Sequence, residues 1–171
     1  ECSERDAQDK FYALLSDSLK GCLMADVPVG AFLSGGLDSA VVTALMKQNQ
    51  SEVETFTFGM GSEIDEAETA RAVAEGLGVR NSVTQLQMDD FKHYSRALWH
   101  LEEPIGDSII VPTFLLARAA AKKVKGVELG EGADEILGGY VHQLAMTYGN
   151  LFRGIPLGRV LRGFPQSFWE S

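Results

Sequence analysis

Ala31-Phe32-Leu33-Ser34-Gly35-Gly36-Leu37-Asp38-Ser39-Ala40 is the stretch whose reading decides the fold of this chain. Apolar residues run into Ser-Gly-Gly, an acid and a hydroxyl follow, and a helical pattern begins at once. That order predicts a buried strand, a tight turn and a helix N-terminus, where backbone N–H groups lack partners and the macrodipole is positive. The two glycines let a ligand approach the backbone closely. Ser34 and Ser39 add hydroxyl donors, so the turn suits a phosphate-like ligand. It has neither the Gly-Lys-Ser/Thr of a Walker loop nor the spacing Gly-x-Gly-x-x-Gly. Asp38 would repel a bare phosphate and makes sense when a hard cation such as Mg²⁺ lies between them. The motif alone leaves open a plainer reading, in which the glycines only make the turn and Ser/Asp cap the helix.

The flanks extend the pattern in both directions. Before the turn, Asp9 to Met24 places Phe11, Leu14, Leu15, Ser18, Leu19 and Cys22 on one helical face. Val29 to Leu33 reads as the first strand, bounded by Pro28 and the glycines. After the turn come a helix at Ser39 to Lys47, a strand at Val53 to Phe58 and a helix at Asp65 to Gly76. That second helix is capped by Ser62 or Asp65 and stopped by Gly78. Asn81 to Met88 alternates weakly as a third strand. Asp89 to His100 reads as a helix packing through Phe91, Tyr94, Leu98 and Trp99, Leu101 to Pro112 as a loop, and Thr113 to Lys123 as a helix. Gly126 to Leu129 is the fourth strand. The succession predicts an α/β fold, a mainly parallel sheet with helices on both faces.

Composition narrows the function. The formal net charge is −9, against the clustered Lys and Arg that nonspecific nucleic-acid binding needs. No apolar run approaches the roughly 18–20 residues that span a bilayer, and Glu1 to Lys10 does not resemble a signal peptide. Two cysteines, Cys2 and Cys22, are too few for a disulfide framework, so a reducing cytoplasm is expected. Cys2 reads as an ordinary thiol in a frayed terminus. His93 and His100 stand too far apart along a helix to share one metal. Just past the fourth strand, Glu131, Asp134 and Glu135 crowd among glycines. They read either as a solvated acidic turn or as acids that serve a cation or a proton transfer.

Ser34-Gly35-Gly36-Leu37-Asp38-Ser39 resembles the pyrophosphate loop of the ATP pyrophosphatase superfamily, whose members cleave ATP to AMP and pyrophosphate. Leu23-Met24-Ala25-Asp26-Val27-Pro28-Val29-Gly30 resembles the approach to that loop in class B asparagine synthetases. Gly130-Glu131-Gly132-Ala133-Asp134-Glu135, followed by Leu137-Gly138-Gly139-Tyr140, resembles a second signature of the same family, so the likeness spans roughly residues 10 to 142. It implies an adenine-nucleotide alpha-hydrolase-like (Rossmann-like) fold, with the first and fourth strands adjacent at the point where strand order reverses. It implies that Ser34, Gly35, Gly36, Asp38 and Ser39 hold the ATP pyrophosphate, and that Asp38 and Asp134 meet Mg²⁺. Phe32, Leu33, Phe58 and Gly59 would lie at the adenine, and Gly130 would allow close approach of the ribose. Glu131 would face the acyl-adenylate as a general base towards the attacking amine. Glu102-Glu103-Pro104-Ile105-Gly106-Asp107-Ser108 resembles a loop near the substrate acid, for which a Pro-Gly turn is an adequate alternative.

The implied reaction is an ATP-dependent, AMP-forming amide ligation. A carboxylate, aspartate first, becomes an acyl-adenylate and is captured by ammonia or an amine. The implied partners are that carboxylate, the nitrogen donor and a glutaminase domain or subunit, with a homodimer left open. Three departures qualify the likeness. Leu129 replaces a usual serine, no glutaminase half is recognisable, and a lysine from the family's C-terminal part has no counterpart. The chain is therefore expected to be a single synthetase-type domain over residues 1–171, a piece of a longer amidotransferase-like protein. The tail from Gly149 to Ser171 mixes apolar residues with arginines and would pack on something. The alternatives are a ligase with an internal amine, as in β-lactam synthetases or peptide cyclases, another pyrophosphatase-loop enzyme such as NAD or GMP synthetase, which the second signature disfavours, and a nucleotide-binding module without turnover.

Overall fold

The computed structural model describes residues 3–61, 65–141 and 143, in two compact units that meet in sequence at Gly130 and Glu131. Ser62, Cys2 and the tail from Gly149 lie outside the described residues.

The first unit holds a four-stranded, wholly parallel sheet in the order β3-β2-β1-β4. The strands are β1 (Val29–Phe32), β2 (Glu54–Gly59), β3 (Arg80–Gln85) and β4 (Gly126–Glu128). From β1 the chain steps outward to β2 and β3, then returns to lay β4 along the other side of β1. Strand order thus reverses between β1 and β4, in the register Val29↔Gly126 to Ala31↔Glu128. Ligands of open α/β sheets bind beyond the carboxyl ends of the strands at such a point.

Helices cover both faces, as the alternation of the strands requires. Ala31 and Leu33 face α1 (Glu4–Cys22), α2 (Leu37–Asn49) and α3 (Glu66–Leu77), where they pack with Leu19, Leu45, Met46, Ala70 and Ala74. Phe32, Phe56 and Phe58 point the other way and pack with Leu116 and Ala120 of α5 (Ile110–Ala120). The apolar face read on the first helix is buried only towards its C-terminal end. Leu19 is buried, whereas Phe11 and Leu14 are exposed.

Most predicted boundaries agree with the structure, and three differ for identifiable reasons. The first helix starts earlier, at Glu4, because the Ser3 side chain accepts a hydrogen bond from the Asp6 N–H as an N-cap. The third strand stops at Gln85 rather than Met88. Gln87 opens a capping box with Asp90, which winds Met88–His93 into a 3-10 turn ahead of α4 (Tyr94–Leu101). The helix predicted over Thr113 to Lys123 runs instead from Ile110 to Ala120: Pro112 falls in its first turn, where no N–H is required, and the chain leaves the helix at the C-cap Ala121. In α4, Ala97 is buried and Leu98 half-buried, but Trp99 points outward at 74% exposure. The His100 ring stacks on Phe114 at 5.4 Å and His93 lies 6.4 Å from the same ring.

The second unit, from Glu131, contains the short helix α6 (Ala133–Leu137). Gly132 and Gly138 bracket it with φ of 95° and 75°, values that glycine adopts without strain. Tyr140 donates its hydroxyl to Glu135 Oε1 at 2.8 Å. That bond holds the Glu135 carboxyl below its usual pKa and raises the Tyr140 phenol. A Cβ on Gly139 would run into the Asp134 carboxylate, so glycine there leaves room for that side chain.

Candidate active site

At the carboxyl end of β1 the chain makes its turn with its own serines. The Ser34 N–H donates to Ser39 Oγ at 3.2 Å, and the two hydroxyl oxygens lie 3.0 Å apart. The Gly36 N–H donates to Ser34 Oγ, and Ser39 Oγ donates back to the Gly36 carbonyl. Ser39 is therefore 8% exposed and belongs to the loop's internal framework, while Ser34 stays exposed.

Gly35 is required twice over. Its φ is +83°, and a Cβ would lie 2.8 Å from the Ala70 nitrogen and 2.9 Å from Thr69 Cβ of α3. Gly36 is the N-cap of α2 and has no side chain to bond the first turn. Among the described residues the amides of Leu37, Asp38 and Ser39 are thus left to whatever approaches the helix end. Asp38 lies in this turn, half-buried, and makes no ion pair among the described residues. A positive backbone edge beside an uncompensated carboxylate is a chemistry for an anion that brings its own cation.

Gly130 closes the loop from the β4 side. A Cβ there would lie 2.6 Å from the Ser39 nitrogen and 2.8 Å from the Asp38 carbonyl carbon. The need for glycine at this position thus comes already from the protein's own backbone, which the sequence reading assigned only to a ribose. Leu129, at the strand end just before it, is 47% exposed.

The end of β1 and the next strand along, β2, carry the other sequence-predicted positions. Phe32 and Phe58 are half-buried against the α5 core, and Gly59 is buried between Gln85 and Asp65. Phe58 also lines a cavity of about 330 Å³ with Met60, Leu86, Phe91, Ser108 and Ile109. Asp65 shapes its rim. One carboxylate oxygen accepts the Ala67 N–H at 3.0 Å and the other accepts the Gly61 N–H at 2.9 Å. These backbone donors, Ala67 first, hold the Asp65 carboxyl below its ordinary pKa. The loop from Glu102 is a chain of local turns. Glu102 has φ 59°, Asp107 Oδ1 accepts the Ile109 N–H at 3.0 Å, and Tyr94 donates to the Ile105 carbonyl at 2.9 Å.

Phe32, Leu33, Ser34, Gly35, Gly36, Asp38, Ser39, Phe58, Gly59 and Gly130 thus gather at the carboxyl edge of one sheet, in the first unit. Glu131 and Asp134 belong to the second unit, in and just before α6. The sequence reading passed over Thr57, whose hydroxyl donates to the Leu33 carbonyl at 2.6 Å. The available signal was two threonines, Thr55 and Thr57, at alternate positions of a strand otherwise read as core. Among the described residues no group of three or more His, Cys, Asp or Glu could hold a metal. No helix there is long and apolar enough to cross a membrane.

The family model of asparagine synthase matches residues 10–169. A putative glutamine-hydrolysing asparagine synthetase of Mycobacterium tuberculosis is 43% identical over 134 residues, covering 77% of this chain and 21% of the relative. The glutamine-hydrolysing asparagine synthetase 1 of Bacillus subtilis is 32% identical over 138 residues, covering 80% and 21%. The chain thus spans about a fifth of the length of these relatives. Among solved structures, an NH3-dependent NAD synthetase from Campylobacter jejuni superposes with a TM-score of 0.52 at 20% identity, over 77% of this chain and 60% of that one. That likeness is one of fold.

Proposed function

The chain belongs to the asparagine synthase family, and from that premise we propose that it is the nucleotide-binding part of an ATP-dependent, AMP-forming amide ligase. A carboxylate, aspartate first, attacks the α-phosphorus of ATP and pyrophosphate leaves. Ammonia or an amine then captures the acyl-adenylate. The observation that carries this reading is the adjacency of β1 and β4, with Gly130 seated on the first turn of α2. Gly130 opens the second signature, whose acids follow directly in the chain.

Each residue has a physical task in this scheme. The first-turn amides of α2, Gly35, Gly36 and the exposed Ser34 hydroxyl receive the diphosphate of ATP. Phe32, Phe58 and Gly59 offer the base apolar surface and backbone groups, with the cavity beside Phe58 as room for it. Leu33, read from sequence as lying at the adenine, is 1% exposed on the opposite face with its N–H and carbonyl already bonded, so it supports the strand end and does not touch the base. Gly130 keeps the strand end low enough for the ribose. Glu131 takes the proton from the attacking amine. Asp38 and Asp134 would hold Mg²⁺, which neutralises phosphate charge when bound. A half-buried carboxylate with no ion pair among the described residues fits a cation that keeps phosphate oxygens among its ligands. Little covalent work falls to the protein; orientation and charge placement dominate.

The test is product analysis with the longest natural polypeptide that contains this chain. AMP and pyrophosphate formed from ATP only when aspartate and a nitrogen donor are present would support the proposal. ADP and phosphate, or no turnover with nucleotide bound, would reject it. Leu129 favours a second reading, a ligase whose activated carboxylate is not aspartate, because a hydroxyl expected at the nucleotide is replaced by an apolar side chain. Turnover with another carboxylate but not with aspartate would select that reading.

A further inference from the structure

Three polar side chains sit where the sheet turns its inner face towards α2 and α3. Thr55 and Thr57 of β2 are 0% and 2% exposed, and Asn81 of β3 stands opposite Thr55 in register. Buried hydroxyls and amides are costly unless bonded. Thr57 Oγ1 lies 2.6 Å from the Leu33 carbonyl oxygen, and Thr55 Oγ1 lies 2.9 Å from that of Arg80. Asn81 Oδ1 lies 3.0 Å from Thr57 Oγ1 and 3.1 Å from Thr55 Oγ1. Its Nδ2 is buried with no partner among the described residues.

Each threonine hydroxyl has a single hydrogen. With the amide oxygen facing the threonines, carbonyl and amide oxygens compete for those hydrogens and both amide hydrogens are orphaned. Turning the amide by half a revolution leaves the side chain's shape unchanged, and the hydrogen-bond network decides the orientation. In the turned form Nδ2 donates to both hydroxyl oxygens, and both hydroxyls donate to their carbonyls. Every buried hydrogen is then used, and only the amide oxygen lacks a partner.

The chain of bonds ends at the loop. Leu33 C=O and Ser34 N–H are the two edges of one planar peptide unit. Thr57 holds the first edge, and the second donates to Ser39 Oγ in the first turn of α2. We propose that Asn81 and Thr57 are positioning residues for the pyrophosphate loop: Asn81 Nδ2–H donates to Thr57 Oγ1, Thr57 donates to Leu33 C=O, and the Leu33–Ser34 peptide plane is thereby fixed against Ser39. This rests on the loop reading given above. A loop whose first peptide can rotate would present its amides to a diphosphate less well.

The experiment compares wild type with Thr57→Val, Thr57→Ser, Asn81→Asp and Asp38→Asn in the longest natural polypeptide containing this chain. Mg²⁺-ATP binding is measured by calorimetry, KM and kcat by pyrophosphate release, and folding by thermal melts. Thr57→Val is nearly isosteric and should raise the ATP dissociation constant and KM about tenfold at a temperature where the variant is folded. Thr57→Ser should return both to within about twofold of wild type. An ionised Asn81→Asp side chain can only accept, so it should weaken binding in the same direction, and it gives the reading if Thr57→Val does not fold. Melting shifts without any change in ATP binding, or no rescue by serine, would overturn the proposal. Asp38→Asn separates the layers. If it leaves Mg²⁺-dependent binding intact, the loop reading itself fails. If it abolishes binding while folded Thr57→Val binds as wild type, only the positioning role fails.

Discussion

The two edges of the one parallel sheet are built in opposite ways. At the amino end of β2 and β3, charge meets charge. Glu54 pairs with Lys123 at 2.9 Å and with Arg80 at 3.1 Å, and Arg80 also reaches Glu52 at 3.0 Å. Lys123 adds a bond to the Ser82 hydroxyl at 3.0 Å. At the carboxyl end of β1 and β4, Asp38 has no counter-charge among the described residues, a helix N-terminus has no capping side chain, and glycines replace side chains at close approaches. An edge that satisfies its own charges has no further need of a ligand. An edge that leaves a carboxylate and several amides uncompensated is poised for one that supplies both a cation and an anion. The second arrangement gives up local stability for a place to bind.

Replacing the carboxylate at the open edge should break this contrast most severely. Asp38→Asn should lower Mg²⁺-dependent ATP turnover by about 100-fold or more while leaving the melting temperature nearly unchanged. Steady-state pyrophosphate release read beside a thermal melt would check both halves. Next in size, Gly130→Ala should destabilise the fold by about 1–3 kcal/mol, because its Cβ would lie 2.6 Å from the Ser39 backbone nitrogen and neither backbone can yield cheaply. It should also weaken ATP binding, since the displaced atoms belong to the first turn of α2. Chemical denaturation and calorimetry would measure the two effects.

The closed edge should respond weakly and in stability alone. Lys123, then Arg80, hold the Glu54 carboxyl below its ordinary value of 4.5. A carboxylate with a depressed folded-state pKa stabilises the protein above its unfolded-state pKa, and that contribution is lost as pH falls through the folded value. The cationic partners are at least half exposed, so screening limits the effect to about 1 kcal/mol or less. Glu54→Gln should therefore melt slightly lower than wild type at pH 7. The gap should close as pH falls from above 4.5 through the lowered folded-state value, or as salt rises, and turnover should be unaffected. Smallest of all, Leu129→Ser should change stability by less than about 0.5 kcal/mol, because the side chain is 47% exposed.

How far the sequence led follows the same division. The strand-turn-helix from Val29 was legible because glycines, serines and an apolar run each point the same way. The helix stop at Gly78, with φ 64°, and the Asp65 cap were equally local signals. The 3-10 turn at Met88–His93 was missed although Gln87 and Asp90 stand at capping-box spacing, because the helical periodicity beyond them dominated. The pairing of β1 with β4 could not come from spacing, since parallel neighbours need not be neighbours in sequence; it came from family resemblance and is observed in the register. Thr57 and Asn81 stayed invisible for a related reason. A buried polar residue shows its purpose only when its partner on another strand is known, and Leu33 lies 24 residues away in sequence.

The turn at Ser34 to Ser39 is proposed to hold a diphosphate together with its cation. Titrating inorganic pyrophosphate into the longest natural polypeptide containing this chain, with and without Mg²⁺ and with Asp38→Asn alongside, tests that directly. Saturable binding that requires Mg²⁺ and disappears in a folded Asp38→Asn variant is the predicted result. Equal binding by wild type and variant, or none by wild type at millimolar pyrophosphate, would contradict it.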